Sequence, residues 1–288
     1  MTTVEKLVGF IRETSSSLPE DVLGALRRAA RREARGSSAA VVLKTILDNC
    51  ALAKKQSTPL CQDTGTLAFY VDESLKKKVT PAVIKRAVAI ATERGYLRKN
   101  CIDSVTGKSY DDNCCDGAPV VHYVAKDGDS GVPEPRPKER GGKVTLLLKG
   151  GGSENMSRQY SLPDASLGAG RDLAGVRKCL LDAVVKTQGY GCAPGILGVC
   201  IGGDRATGYE TAKLQLLRPL RDCAGGELGK LEKRILKEAN TLGIGPMGLG
   251  GKTTLLGVKI ASRPRVPASF FVTVAYLCWA ARRRTITL

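Results

Sequence analysis

Residues 56–71 read QSTPLCQDTGTLAFYV. A polar turn rich in Thr, Pro and Gly passes directly into an apolar, aromatic run, which predicts a loop at 56–66 and a strand at 67–71. Upstream the chain is helical in pattern. Segment 4–12 is short and amphipathic, 20–34 follows Pro19, and 38–55 starts from serine caps with apolar residues at helical spacing. Downstream, helices and strands are interspersed. Thr80 and Pro81 open a helix as cap and first helical residue, and Gly95 stops it after about Arg94. Strands are predicted at 120–125, 144–148, 196–201, 254–261 and 270–277, and helices at 172–188, 209–217 and 227–241. Strict βαβ alternation is missing, so the expected fold class is α+β, a helical N-terminal region followed by mixed helices and small β-sheets. The run KDGDSGVPEPRPKERGG at 126–142 is the candidate exposed loop, or a junction between two subdomains of one 1–288 domain.

The chain has 288 residues, enough to bury a sizeable core, and 42% of them are hydrophobic. Its formal net charge of +17 favours acidic partners: nucleic acid, an anionic membrane, an acidic subunit or an anionic metabolite. The excess lies partly in helical stretches (Arg27, Arg28, Arg31, Arg32) and partly at the end (Arg282, Arg283, Arg284), where solvated faces are the simplest expectation. No aromatic-basic RNA motif or zinc finger is present, which argues against nucleic acid. No apolar run approaches the roughly 20 residues needed to span a bilayer, and the N-terminus lacks a signal-peptide pattern, so no membrane association and a cytoplasmic location are expected.

Two glycine-rich matches are decoys. GIGPMG, Gly243 to Gly248, fits G-x-G-x-x-G, but a helix precedes it and a strand follows, the reverse of a dinucleotide site. GLGGKTT resembles the end of a P-loop, yet Pro246 stands where the first glycine belongs and strand-like TTLLGVKI follows. Ten cysteines are present without a CxxC pair, so any that bind metal must converge from distant parts of the chain. Cys61 in PLCQDTGT, Cys192 in GYGCAPGILG and Cys278 in AYLCWAARRR stand at turns or strand ends, where a fold presents ligands. Taken singly, each reads first as a buried structural cysteine.

PLCQDTGT, KGGGSEN, GCAPGILGVCIGG, GIGPMGLGGKTTLLGVKI and CWAARR stand in the order found in the iron–sulfur part of class I fumarate hydratases. From about residue 50 to its end the chain resembles that family and the related α subunits of L-tartrate dehydratases. The resemblance implies a [4Fe–4S] cluster at convergent turns, held by Cys61, Cys192 and Cys278. Three thiolates would leave one iron open to act as a Lewis acid. It further implies reversible hydration of fumarate to malate, with L-tartrate dehydration as the alternative. Gln62 would contact substrate, Asp63 would handle a proton or simply cap its turn, and Arg98 in GYLRKN would bind a substrate carboxylate. Gly151, Gly152, Ser153, Glu154 and Asn155 would line the site. Because the chain ends just past the third cysteine, a separate β subunit and an α2β2 assembly are implied.

Two departures from the family pattern are visible. Relatives carry histidine in an H-P-A-S-like stretch about twelve residues before the third cysteine, where RVPAS here places Val266. An inactive iron–sulfur scaffold therefore stays open. In NCCDGAP, Cys114 and Cys115 replace a Thr–Gly pair. Neighbours in an extended chain point to opposite sides, so they make a poor chelate and are expected to be structural or oxidation-prone. The single histidine, His122 in PVVHYVA, is expected in the core or on a sheet edge.

Overall fold

The computed structural model describes residues 1–125 and 141–288. The predicted junction at 126–142 therefore lies, apart from Gly141 and Gly142, outside the described residues. The chain opens with helices α1 (Thr3–Ser16), α2 (Glu20–Arg32) and α3 (Ser38–Gln56), followed by strand β1 (Thr66–Asp72), helix α4 (Pro81–Glu93) and strands β2 (Cys101–Ile102), β3 (Ser109–Tyr110), β4 (Val120–Val124) and β5 (Lys143–Lys149). A five-residue helix α5 (Gly151–Asn155), strand β6 (Arg158–Ser161), helix α6 (Leu173–Thr187), strand β7 (Gly195–Gly202), and helices α7 (Arg205–Gln215) and α8 (Gly226–Ala239) come next. Strands β8 (Leu255–Arg263), β9 (Phe271–Leu277) and β10 (Arg282–Thr287) close the chain.

The strands form two four-stranded sheets and a small hairpin, giving a mixed arrangement of helices and small sheets as expected. In the first sheet the order is β10-β5-β1-β4, in the second β6-β9-β7-β8. Side chains alternate across each strand, and this alternation builds three cores. Leu67, Phe69 and Val71 of β1, with Val144, Leu146 and Leu148 of β5, face α1 and α4. Tyr70 and Leu147 point the other way, into a core shared with α2, α3, α7 and the near face of the second sheet (Ile196, Cys200, Ala275, Leu277). The far face of that sheet, Leu197, Val199, Val272, Val274 and Tyr276, packs on α6 and α8. Strand β7 is buried along its whole length, which explains why GILGVCIG reads as a continuous apolar run.

The chain crosses between the sheets twice. It leaves the first at β5 and enters the second at β6 through α5, and it returns from β9 to β10 through Cys278–Ala281. Both crossings lie where the three turns named above must meet.

Several local differences from expectation have physical causes. Helix α1 runs on to Ser16, where the buried hydroxyls of Thr14, Ser15 and Ser16 are satisfied by helix carbonyls at 2.7–3.0 Å. Helix α7 starts at Arg205 because the Asp204 carboxylate caps the amides of Ala206 and Thr207. The GGGSEN turn winds into α5. The expectation that the terminal arginines sit on a solvated face is corrected: Arg282 and Arg283 are buried in β10. Arg283 is compensated by Asp21 at 2.6 Å and the Arg218 carbonyl at 3.0 Å. Arg27, Arg28, Arg31 and Arg32 of α2 are exposed, as expected.

Helix α7 lies so close to β7 that a Cβ on Gly198 would stand 2.1 Å from the Ala212 carbonyl oxygen. Gly198→Ala is expected to destabilise the fold by about 2 kcal/mol through overpacking. Gly9→Ala in α1 meets nothing within 4 Å and is expected to stabilise by about 0.5 kcal/mol. Urea unfolding of the two variants measures both signs.

Candidate functional site

The turn carrying Cys61 is fastened at both ends. Helix α3 ends at Ser57 in a left-handed conformation (φ 55°), and the chain then lays Leu60 into the core. The Leu60 amide donates to the Ser15 carbonyl at 2.9 Å, and its carbonyl accepts from the Asn49 amide group at 3.0 Å. Beyond Cys61, the Asp63 carbonyl accepts from Arg282 Nη2 at 2.8 Å. Thr64 is buried, and its hydroxyl accepts the Arg98 amide at 3.3 Å. Gly65, at φ 77°, brings its backbone so near Lys149 that a Cβ would fall 2.4 Å from the Lys149 carbonyl carbon and oxygen. The TGT sequence is therefore a steric requirement for joining this turn to the end of β5.

Cys192 adopts a left-handed φ of 51° in the link from α6 to β7. Its amide donates to Gly189 at 3.0 Å, and the next carbonyl, of Ala193, accepts from Met247 at 2.8 Å. The glycine-rich loop at 243–251 thus buttresses the Cys192 turn instead of cradling a nucleotide. Gly191 and Gly195 leave room for the Tyr276 ring, which a Cβ at either position would meet within 2.5 Å.

Cys278 closes the arrangement. The Trp279 amide donates to the Cys192 carbonyl at 3.2 Å, and the Cys278 amide donates to the buried Ser153 hydroxyl at 3.1 Å. Burial pushes the Cys192 thiol up from its ordinary range, and the negative charges of Cys278, Cys61 and Asp63 push it further. All three cysteines are half-buried. Burial raises the Tyr276 phenol well above its usual range, again helped by Cys278 and Cys192.

Asp63 faces the start of α5. Its carboxylate lies 3.5 Å from the Gly152 amide, and a Cβ on Gly150 would come within 2.7 Å of Asp63 Oδ2. Behind α5, Lys149 is 2% exposed and its ammonium bonds Glu154 at 2.8 Å and Ser157 at 3.2 Å. Burial drives the Lys149 pKa down to about 8 against the opposing pull of Glu154. Burial works to raise the Glu154 pKa, but the Lys149 and Lys213 ammoniums outweigh it and hold this carboxylate below its usual range.

The structure thus brings Cys61, Asp63, Gly151, Gly152, Ser153, Cys192 and Cys278 to one junction. Arg98 joins through its backbone, while its side chain, like those of Gln62 and Asn155, is exposed. His122 lies in β4 at the sheet edge, stacked on Tyr70 at 4.9 Å, and burial lowers its pKa. Val266 is 65% exposed in the loop after β8. Lys149, Gly150, Thr64, Asn113 and Arg282 were not singled out from the sequence as site residues. All five lie inside quoted motifs, Thr64 in PLCQDTGT, Asn113 in NCCDGAP, Lys149 and Gly150 in KGGGSEN and Arg282 in CWAARR, so motif membership was the signal that could have found them.

Asn113 is the hub of the Arg98 arm. Its Oδ1 accepts the amides of Asn100 (2.8 Å) and Cys101 (3.0 Å), and its Nδ2 donates to the Arg98 carbonyl (2.8 Å) and Thr92 hydroxyl (3.0 Å). Cys115 does not pair with Cys114; its sulfur lies 3.4 Å from that of Cys101.

Comparison with known proteins now bears on this geometry. The family model described as "Fumarate hydratase (Fumerase)" matches residues 4–287. The chain belongs to this fumarate hydratase (Fumerase) family. It is 47% identical over 285 residues to a Geobacillus stearothermophilus protein described as "Putative fumarate hydratase class I", covering 97% of this chain and 53% of that protein. The chain thus spans about half the length of that relative. It is also 31% identical over 290 residues to the "Putative L(+)-tartrate dehydratase subunit alpha" of Methanocaldococcus jannaschii, covering 98% of this chain and 96% of the relative. The "L(+)-tartrate dehydratase subunit alpha" of Escherichia coli K12 is 28% identical, with 98% and 89% covered.

Asn113→Gly keeps the left-handed φ of 59° but removes the hub. It is expected to lower stability by about 2 kcal/mol in urea unfolding. Treatment of the reduced chain with diamide, a thiol oxidant, is expected to link Cys101 to Cys115, as read by peptide mass mapping, while buried Cys179 and Cys200 stay reduced.

Proposed function

We propose that the chain is the α subunit of a hydro-lyase that reversibly hydrates fumarate to malate and holds a [4Fe–4S] cluster on Cys61, Cys192 and Cys278. The observation that carries this is the linkage of three distant turns by hydrogen bonds: the Cys192 carbonyl receives the Trp279 amide, and Arg282, four residues past Cys278, donates to the Asp63 carbonyl in the Cys61 turn. Three half-buried thiols beside a carboxylate fit the donor set of a cluster with one iron left free. Among the described residues no group of three or more His, Cys, Asp or Glu could hold a metal ion. That is compatible with a cube, because its ligands attach to different irons and need not converge on one point. When bound, the cluster supplies an open iron that acts as a Lewis acid on the substrate's oxygens.

The chain's own residues supply the rest. Asp63, facing the first amides of α5, gives or takes the proton at the substrate carbon. The Gly151 and Gly152 amides and Gln62 offer donors to a carboxylate, and Ser153 keeps its own O–H to donate while accepting the Cys278 amide. Arg98, exposed at the end of a braced arm, presents a planar fork to the distal carboxylate. The surplus of cations suits a dicarboxylate. Near full-length matches to α subunits support a separate β subunit, in an α2β2 assembly that completes the site. No helix among the described residues is long and apolar enough to cross a membrane, and a cytoplasmic location is proposed with the function.

Tartrate dehydration is the second reading, favoured by those same α-subunit relatives. The complete enzyme, assayed anaerobically on malate, fumarate and L-tartrate, is expected to turn over malate and fumarate. Tartrate turnover without malate turnover would reverse the assignment. A cluster-bearing enzyme without turnover that gains it with Val266→His would mark an inactive scaffold. Gly150→Ala pushes on the Asp63 carboxylate and is expected to lower kcat roughly a hundredfold with the iron content unchanged.

A further inference from the structure

Among the described residues, Arg282 is a buried cation without an ion-pair partner. It is 1% exposed and stands four residues after Cys278. Its Nη2 donates to the Asp63 carbonyl at 2.8 Å and its Nε to the Ala280 carbonyl at 3.3 Å. Its Nη1 is buried without a partner. The next two arginines also leave one nitrogen each without a hydrogen bond, but unlike Arg282 they form ion pairs. Arg283 pairs with Asp21 at 2.6 Å and Arg284 with Glu13 at 3.6 Å. Among the described residues no carboxylate forms an ion pair with Arg282, whose bonds go to carbonyls.

The neighbouring strand does not relieve the imbalance. Arg282 pairs in register with Leu148, and the next residue, Lys149, is also buried. Lys149 shares the single carboxylate of Glu154 with Lys213, at 2.8 and 2.6 Å. The wall between the Cys61 turn and Cys278 therefore carries Arg282, Lys149 and Lys213 against the carboxylates of Glu154 and Asp63, a surplus of one positive charge. A buried charge without compensation is costly, so such a surplus points to an anionic occupant.

We propose that Arg282 is a positioning residue for the cysteine site, clamping the turn of Cys61 to the segment of Cys278 and supplying the positive charge that balances the thiolate-bound cluster. This rests on the cluster role proposed above. The clamp joins residues 219 positions apart through one hydrogen bond, from a side chain on the strand that directly follows the third cysteine. Arg282 is 1% exposed, so its charge acts in a medium that screens poorly.

The test compares wild type with Arg282→Gln and Arg282→Lys, each reconstituted anaerobically with iron and sulfide and checked for folding by circular dichroism. Three readouts are taken: the rate of cluster loss to a chelator, the reduction potential of the cluster, and amide hydrogen exchange of the 61–65 peptide in the metal-free chain. Arg282→Gln keeps a donor but no charge, so cluster loss is expected to quicken roughly tenfold or more, with a lower potential. Arg282→Lys keeps the charge with a shorter reach, so its potential stays near wild type while exchange at 61–65 quickens. A purely structural brace would move exchange and leave the potential of both variants unchanged, which overturns the charge role. Wild type that holds a cluster, with Arg282→Gln matching it in all three readouts, overturns the inference and leaves the cluster assignment standing. Wild type that takes up no cluster overturns the assignment itself, and the inference with it. If Arg282→Gln does not fold, Arg282→Lys decides alone, and a lowered potential there is the contrary result.

Discussion

The hydrogen bond from the Trp279 amide to the Cys192 carbonyl fixes the point on which the rest of the site depends. It lies in the crossing that carries the chain from β9 of the second sheet to β10 of the first. That crossing places Cys278 beside Cys192 from one side, while Arg282, at its far end, reaches the Asp63 carbonyl and so brings in the Cys61 turn. Three segments far apart in sequence are thereby held, two by a backbone hydrogen bond and the third through the Arg282 side chain. A site built this way sits on rigid elements, as metal and substrate chemistry requires.

The glycines follow from the same constraint. Gly65 allows the Cys61 turn to touch the end of β5, Gly150 leaves space for the Asp63 carboxylate, and Gly191 and Gly195 let the Cys192 turn wrap the Tyr276 ring. Each gives room that a single methyl group would fill. Of these four, Gly65 admits backbone against backbone, and the other three make room for side chains at the junction of the two sheets. A looser packing of that junction would separate the cysteines.

Much of the fold was legible because long periodic segments report themselves. The apolar spacing of 38–55 and the run at 196–201 fall where α3 and β7 lie. Three features escaped. Strand β10 begins with three arginines, and charge in a terminal segment reads as a solvated face; the tertiary partners of Arg282 and Arg283 are what bury its first two residues. Strand β6 and the β2–β3 hairpin are too short to show a period. The candidate cysteines stood out by their turns, and the family resemblance, not spacing, chose them from ten. The sequence could not reveal that Lys149 and Arg282 stand behind them, because burial of a cation depends on which strands become neighbours.

The account's central claim is that Cys61, Cys192 and Cys278 together hold one cluster. The direct measurement is the iron and acid-labile sulfide content, with absorption spectra, of anaerobically reconstituted protein. Wild type is compared with Cys61→Ser, Cys192→Ser and Cys278→Ser, and with Cys179→Ser from the far core as control. The account predicts four irons and four sulfides per chain in wild type and the control, and loss in each of the other three. No cluster in folded wild type, or equal loss in the control, would contradict it.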